Sequence, residues 1–192
     1  TGCAADRVWN WMLCGAALFE HGSEPEIHNR LESLGRQLRH LEAMKDDCSD
    51  FTARWKLICV MVLDSLCLKD GEGYDEALDR LENECTAQIL PDGGHATRAP
   101  SRGLGALLDL YVVRDAIERS QRPVPGFISS WIGRLGGMVG FFRCGDGAMP
   151  VFNDSDENLP ETVTAALKKL ETPTRRFMVA PKSGFHKLVK GG

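Results

Sequence analysis

Three sets of polar residues have the type and spacing to do chemistry. His95 follows Pro91-Asp92-Gly93-Gly94, a turn in which proline presets φ and glycine permits positive φ. An imidazole in a glycine-rich turn between helices is placed to accept a proton or contact a ligand, and equally to hydrogen-bond the turn backbone. Arg98 and Arg102 lie four residues apart around a helix start. If that turn is helical, their guanidinium groups share a face and could clamp an anionic group; otherwise they are solvated charges that pair with Asp92 or Asp109. The third set is Arg143, Asp146 and Asn153. Here Asp146-Gly147 reads as a turn and Asn153 as a cap for the following helix, unless these side chains line a ligand cleft.

Several other chemistries lack their residues. The chain has no Walker loop, no GxGxxG after a strand, no GxSxG elbow and no HExxH. Glycines between Gly133 and Gly140 lie inside an apolar helical period, which suits close helix packing better than a phosphate cradle. The seven cysteines include no CxxC pair and no Cys/His spacing suited to zinc. They read as small buried apolar residues, with Cys59, Cys67 and Cys85 on apolar helix faces. Trp11, Trp55 and Trp131 also fall within apolar periods and read as core; Trp9 is the least committed of the four tryptophans.

The elements that position these residues are mostly helical. Ile27, Leu31, Leu34, Leu38 and Leu41 recur at three- and four-residue steps between Pro25 and Met44, with Glu32, Arg36, Arg39 and Glu42 on other faces. The same pattern predicts helices at Asp6–Glu20, Phe51–Leu68, Tyr74–Ile89, Arg102–Arg119, Pro125–Phe142 and Leu159–Leu170. Turn-formers such as Asp46-Asp47-Cys48-Ser49 and Asp70-Gly71-Glu72-Gly73 separate them, and connections this short make neighbours antiparallel. Beyond Pro173 the period changes, and Arg175–Ala180 and Phe185–Val189 read as two strands around Pro181-Lys182-Ser183-Gly184.

With 192 residues, 43% hydrophobic and 26% charged, the chain can bury a core and lacks the composition of a disordered protein. Its longest apolar runs, such as Leu57–Leu63, fall far short of the ~20 residues of a membrane span. A net charge of −4 argues against general nucleic-acid binding. Residues 168–190 hold seven basic groups against Glu171, a balance of +6 that leaves −10 on residues 1–167. That basic tail reads either as a polyanion patch or as strand residues that pair with acidic loops elsewhere.

Three segments carry a family resemblance. Leu90-Pro91-Asp92-Gly93-Gly94-His95, Phe141-Phe142-Arg143-Cys144-Gly145-Asp146-Gly147 with Phe152-Asn153, and Ala180-Pro181-Lys182-Ser183-Gly184-Phe185 occur in that order. Together they resemble heparinase II/III-like proteins of the polysaccharide lyase superfamily. The resemblance implies antiparallel helix pairs forming part of an α/α toroid, followed by the first strands of a β-sandwich. It also implies β-elimination of acidic, uronate-containing polysaccharide without an organic cofactor, in a bacterial periplasm or cell envelope. Elimination needs a base for the proton α to the carboxylate, and His95 is the candidate catalytic residue. Arg98, Arg102, Arg143 and Asn153 are the candidate substrate-binding residues. Arg102 stands where the family's tyrosine would follow Ala99-Pro100, and Ser49-Asp50-Phe51 stands where an Asn-His pair would open an earlier helix.

The expectation is therefore a mainly α chain: an incomplete toroid over residues 1–172 and a truncated β-sandwich from 173 to 192. Thr1 without an initiator Met and Gly191-Gly192 just after the second strand suit an excised piece, inactive by itself, whose missing sandwich belongs to the same parent chain. Acidic polysaccharide is the expected partner, with no nucleic acid, membrane span, metal or cofactor. The alternative is a non-catalytic helical module that binds a glycan or a protein and has lost the lyase residues; a purely structural helical repeat is a third possibility.

Overall fold

The computed structural model describes residues 2–170 and 177–188. Among them are eight helices: α1 (Gly2–Leu13), α2 (Gly15–Phe19), α3 (Glu24–Ala43), α4 (Phe51–Leu68), α5 (Gly71–Gln88), α6 (Pro100–Arg119), α7 (Gly126–Phe142) and α8 (Pro160–Lys168). Strands β1 (Val179–Ala180) and β2 (Phe185–His186) pair antiparallel, Val179 opposite His186 and Ala180 opposite Phe185. The mainly α fold with a short C-terminal β segment is as the sequence predicts. The chain divides into two compact units, residues 1–81 and 82–192, with the boundary inside α5.

In the first unit, α1 packs against α4 and α3. Val8 and Trp9 of α1, Leu41 of α3, and Trp55, Ile58 and Val62 of α4 are buried. Burial of that much aliphatic and aromatic surface is the main stabilising contribution, at about 25 cal/mol per Å². Local signals set the helix ends. The Glu26 carboxylate accepts from the Ser23 amide at 2.8 Å and hydroxyl at 2.9 Å, opening α3, and Asp50 accepts from Ala53 N–H at 2.6 Å, opening α4. Lys45 bridges Glu42 and Glu76, while Arg80 bridges Asp46 and Glu76, tying the end of α3 to α5.

In the second unit α6 lies against α7, and α8 contacts both. Leu104, Leu107, Leu110 and Ile117 of α6, and Ile128, Ile132 and Leu135 of α7, are buried at helical spacing. Tyr111 Oη donates to Ala166 O at 2.8 Å, fixing α8 to α6. The hairpin sits on the end of α7, where Phe141 stacks on Phe177 and Phe142 meets Phe185 edge-on at 5.0 Å between centroids. Lys187 Nζ donates to the carbonyls of Phe141 and Arg143 at 2.7 and 2.9 Å, placing a cation at the negative end of that helix.

Several expectations need correction. Asp6–Glu20 is two helices, because Cys14 (φ −94°, ψ 18°) leaves the helical region between them. Helix α5 begins three residues before Tyr74: Asp70 accepts from Gly73 N–H at 3.1 Å, so an apparent turn is the capped first turn of a helix. Arg175 and Arg176, the beginning of the expected first strand, and Val189 lie outside the described residues. Trp9 is buried at 5% exposure, whereas Trp11 and Trp131 are only partly buried. Cys59 and Cys85 are buried as expected, while Cys67 is exposed with Cys14 and Cys144.

Candidate functional site

The Leu90–Thr97 turn lies in the second unit between α5 and α6. Its backbone closes through Gly93 N–H to Leu90 O and Leu90 N–H to Gly94 O, both 2.8 Å, and an isolated bridge joins Ile89 to His95. Gly93 has φ +89°, and a Cβ there would fall 2.0 Å from Arg134 O of α7, so both conformation and space require glycine. At Gly94 a Cβ would meet Ser183 Oγ at 1.9 Å.

Asp92 explains that crowding. Its Oδ2 accepts from the amides of Lys182 and Ser183 at 2.8 and 2.7 Å, and its Oδ1 accepts from Ser183 Oγ at 2.6 Å and Gly94 N–H at 3.3 Å. The carboxylate thus staples the β1–β2 turn to the loop before α6. Partial burial on its own would raise its pKa, but the bonds from Ser183, Gly94 and Lys182 together hold it below the ordinary carboxylate value.

His95 is buried at 8% exposure, and both ring nitrogens are engaged. Nδ1 accepts from Thr97 N–H at 3.2 Å and lies 2.8 Å from Thr97 Oγ1; Nε2 lies 3.1 Å from Gln88 Oε1. An Nδ1 that accepts leaves the proton on Nε2, which then donates to Gln88. The Gln88 amide in turn donates to the Glu84 carboxylate, so one polar chain runs from α5 through His95 to Thr97. Burial first, and then the nearby Arg102 charge, push the imidazole down to about 4. Burial and these contacts favour the neutral imidazole and let His95 fasten the loop.

The cavity beside it is lined by Gly93, Gly94, Leu135, Met138, Phe142 and Phe185 and encloses about 10 Å³. That is room for about one water and far too little for a sugar ring.

The other candidate residues are only partly brought together. Arg98 has φ +58° and precedes α6, so it does not share a helical face with Arg102. Its carbonyl accepts from Asn153 Nδ2 at 3.1 Å, while its side chain is exposed. Asn153 (φ +51°) therefore ties one loop to another and does not cap α8, whose N-cap is Leu159. Arg102 lies 3.9 Å from exposed Asp154. Arg143 stands apart: it donates to Thr164 Oγ1 at 3.1 Å across an open groove that also has Asp146, Glu161 and Lys168 on its walls. Asp146-Gly147 is a turn, with Asp146 accepting from Ala148 N–H at 3.0 Å and Gly147 at φ +88°.

Ser155 and Ser183 were not singled out by sequence. Helix α6 follows Ala99, which has no capping side chain, and Ser155 Oγ reaches across to accept from Ser101 N–H at 3.1 Å. Ser101 Oγ returns an acceptor to Asp156 N–H at 3.1 Å. This is a cap supplied from 54 residues away. The polar run Asn153-Asp154-Ser155-Asp156 is its sequence signal, but spacing cannot reveal the partner. Among the described residues, no group of three His, Cys, Asp or Glu side chains could hold a metal ion, and no helix is long and apolar enough to cross a membrane.

The chain is 34% identical over 194 aligned positions to FtsZ-localized protein C of Caulobacter vibrioides, a match that covers 98% of this chain. It spans about a third of that relative, 33% of its length. No family model and no solved structure matches the chain. This relative overturns the heparinase II/III-like assignment, together with β-elimination, the acidic polysaccharide partner and the periplasmic or cell-envelope location. Its name refers to FtsZ, and nothing in the comparisons points to a lyase. The three segments behind that resemblance have structural work of their own: the first and third meet through Asp92 and Ser183, and the second ends α7 and turns back towards α8.

Proposed function

We propose that this chain is a non-catalytic helical segment of a cell-division-related protein that localizes with FtsZ, at a cytoplasmic division site. The similarity to FtsZ-localized protein C over nearly the whole chain carries this reading. The state of His95 agrees with it, since an imidazole with both nitrogens occupied, beside a water-sized cavity, is not free to act as a base. Residues 173–192 belong, on the same proposal, with further β structure, because a two-stranded sheet is marginal in water by itself. The exposed Arg98 side chain is offered as a contact for a protein partner, while Asn153 and His95 hold the loops on either side of it.

The test is a fluorescent fusion of the protein that carries this chain, imaged with FtsZ in the cells that produce it. The expected result is co-localization with FtsZ that disperses when FtsZ is depleted. A diffuse signal, or one that persists unchanged without FtsZ, overturns the proposal.

A further inference from the structure

A groove in the second unit holds charges that the chain leaves unpaired. Helix α8 supplies one wall with Glu161, Thr164 and Lys168, which share a face at three- and four-residue steps, and the segment after α7 supplies the other with Arg143 and Asp146. The groove encloses about 370 Å³, the size of a small-molecule site.

Its two ends differ in sign. Gly147 lies against Pro160, where an added Cβ would come 3.4 Å from the proline Cβ, and this puts Asp146 at the end of the groove that holds Glu161. Arg143 passes alongside Gly147, with Nη2 3.7 Å from the same Cβ position, and reaches further along α8 to donate to Thr164 Oγ1 at 3.1 Å. Lys168 follows Thr164 by one more turn, and a helical side chain leans back towards the N-terminus, over that hydroxyl. Arg143 and Lys168 therefore flank Thr164. The helix macrodipole accounts for Glu161 in the first turn of α8 and Lys168 in the last, but not for Arg143 and Asp146 on the facing wall. Among the described residues none of these four charges forms an ion pair, whereas Lys169, the next residue, pairs with Asp115. Arg143 directs one N–H to a neutral hydroxyl, which leaves its other donors and the Thr164 hydroxyl hydrogen for a ligand.

We propose that this groove binds a small zwitterion of about dipeptide length, its carboxylate held by Arg143, Thr164 and Lys168 and its ammonium by Asp146 and Glu161. Length supports the match. Along the axis of α8, Thr164 lies about 4.5 Å and Lys168 about 10.5 Å beyond Glu161, and an extended dipeptide spans about 7 Å. The acidic end also separates a zwitterion from a plain anion, since phosphate placed between Arg143 and Lys168 gains nothing from Asp146 and Glu161 and is repelled by them. The site shares no residue with the His95 loop and does not depend on the localization proposed above.

Ligand-observed saturation-transfer NMR on the full protein, with glycylglycine as the probe, tests this, and circular dichroism is the control for folding. Glycylglycine is expected to bind. N-acetyl-glycylglycine, which lacks the ammonium, and glycylglycine amide, which lacks the carboxylate, are each expected to bind about tenfold more weakly. Arg143, Glu161 and Lys168 are exposed, so substitutions there retain the fold. Glu161→Gln should weaken glycylglycine about threefold or more and leave the N-acetyl form unchanged; Arg143→Gln and Lys168→Gln should weaken glycylglycine and leave the amide unchanged. In each case the variant removes the partner of the group that the probe already lacks. A wild type that shows no saturation transfer to glycylglycine overturns the proposal, as does binding indifferent to all three substitutions. Capped forms that bind as tightly as glycylglycine also overturn it, and so does inorganic phosphate that competes with glycylglycine at equal strength, which would make the groove a plain anion site.

Discussion

Asp92 and His95 sit three residues apart in one loop and give the second unit two separate sensitivities to acid. Asp92 titrates below its ordinary value when folded, so its contribution is present above the unfolded carboxylate pKa and disappears as pH falls through the lower folded one. His95 is buried neutral, with its pKa pushed from 6.5 to about 4. Between those values the unfolded chain binds the extra proton, so stability declines as pH falls through that window, by about 3 kcal/mol across it. An NMR titration should show the His95 ring unprotonated at pH 6, and urea unfolding of His95→Gln should show a flatter dependence between pH 6.5 and 4. Asp92→Ala removes the acceptor for Ser183, Lys182 and Gly94 and is expected to cost about 2–3 kcal/mol at neutral pH by the same assay. Gly93→Ala combines a strained φ with a Cβ placed on Arg134 O, and an expected loss above ~3 kcal/mol makes it the more damaging change. Asp92 was legible from sequence as a turn residue or a partner for Arg98 or Arg102, but not in its actual role, because its main partners lie in a different turn 90 and 91 residues further on.

At the scale of elements, most helices were legible because each signal is local. The apolar periods of α4 and α7 survive in the structure as buried faces and that of α3 only in part, with Leu41 buried and Leu31 exposed, and Asp50 caps where sequence places a helix start. Two boundaries were not legible. Cys14-Gly15 carries no strong breaker before the short α2, and Asp70-Gly71-Glu72-Gly73 has the composition of a turn although Asp70 caps a helix there. The start of α6 shows the same limit from the other side. Its acceptor is Ser155, and Ser155→Ala should destabilise by about 1 kcal/mol. Hydrogen exchange should then quicken at Ser101 and in the 153–156 loop together, since the two segments hold each other. Equal exchange in wild type and variant would show that the cap contributes nothing to local order.

For the whole molecule, the consequence of two compact units is that damage should stay where it is made. Gly93→Ala is expected to raise hydrogen exchange throughout residues 100–170 well before it does so in α1, α3 and the first half of α4. The charge imbalance read from sequence has a partly structural explanation. Lys169 pairs with Asp115 at 2.5 Å and Lys187 is spent on the carbonyls that end α7, so the basic tail is not simply a patch awaiting a polyanion. Function was the least legible level. Glycine-rich turns, an exposed arginine and a histidine suggest a catalytic loop by composition, and only geometry shows that the imidazole is already saturated.

Two long-range fastenings also impose an order on synthesis. The amide of Ser101 waits for Ser155, and the carboxylate of Asp92 waits for Ser183, 91 residues later. At elongation rates of about 5–20 residues per second, the turn before α6 is made roughly 5–18 s before its staple exists. During that interval Asp92 lacks its partners in the β1–β2 turn and Phe142 has not yet met Phe185, so a chain stalled before residue 183 presents an unfinished unit to chaperones and proteases.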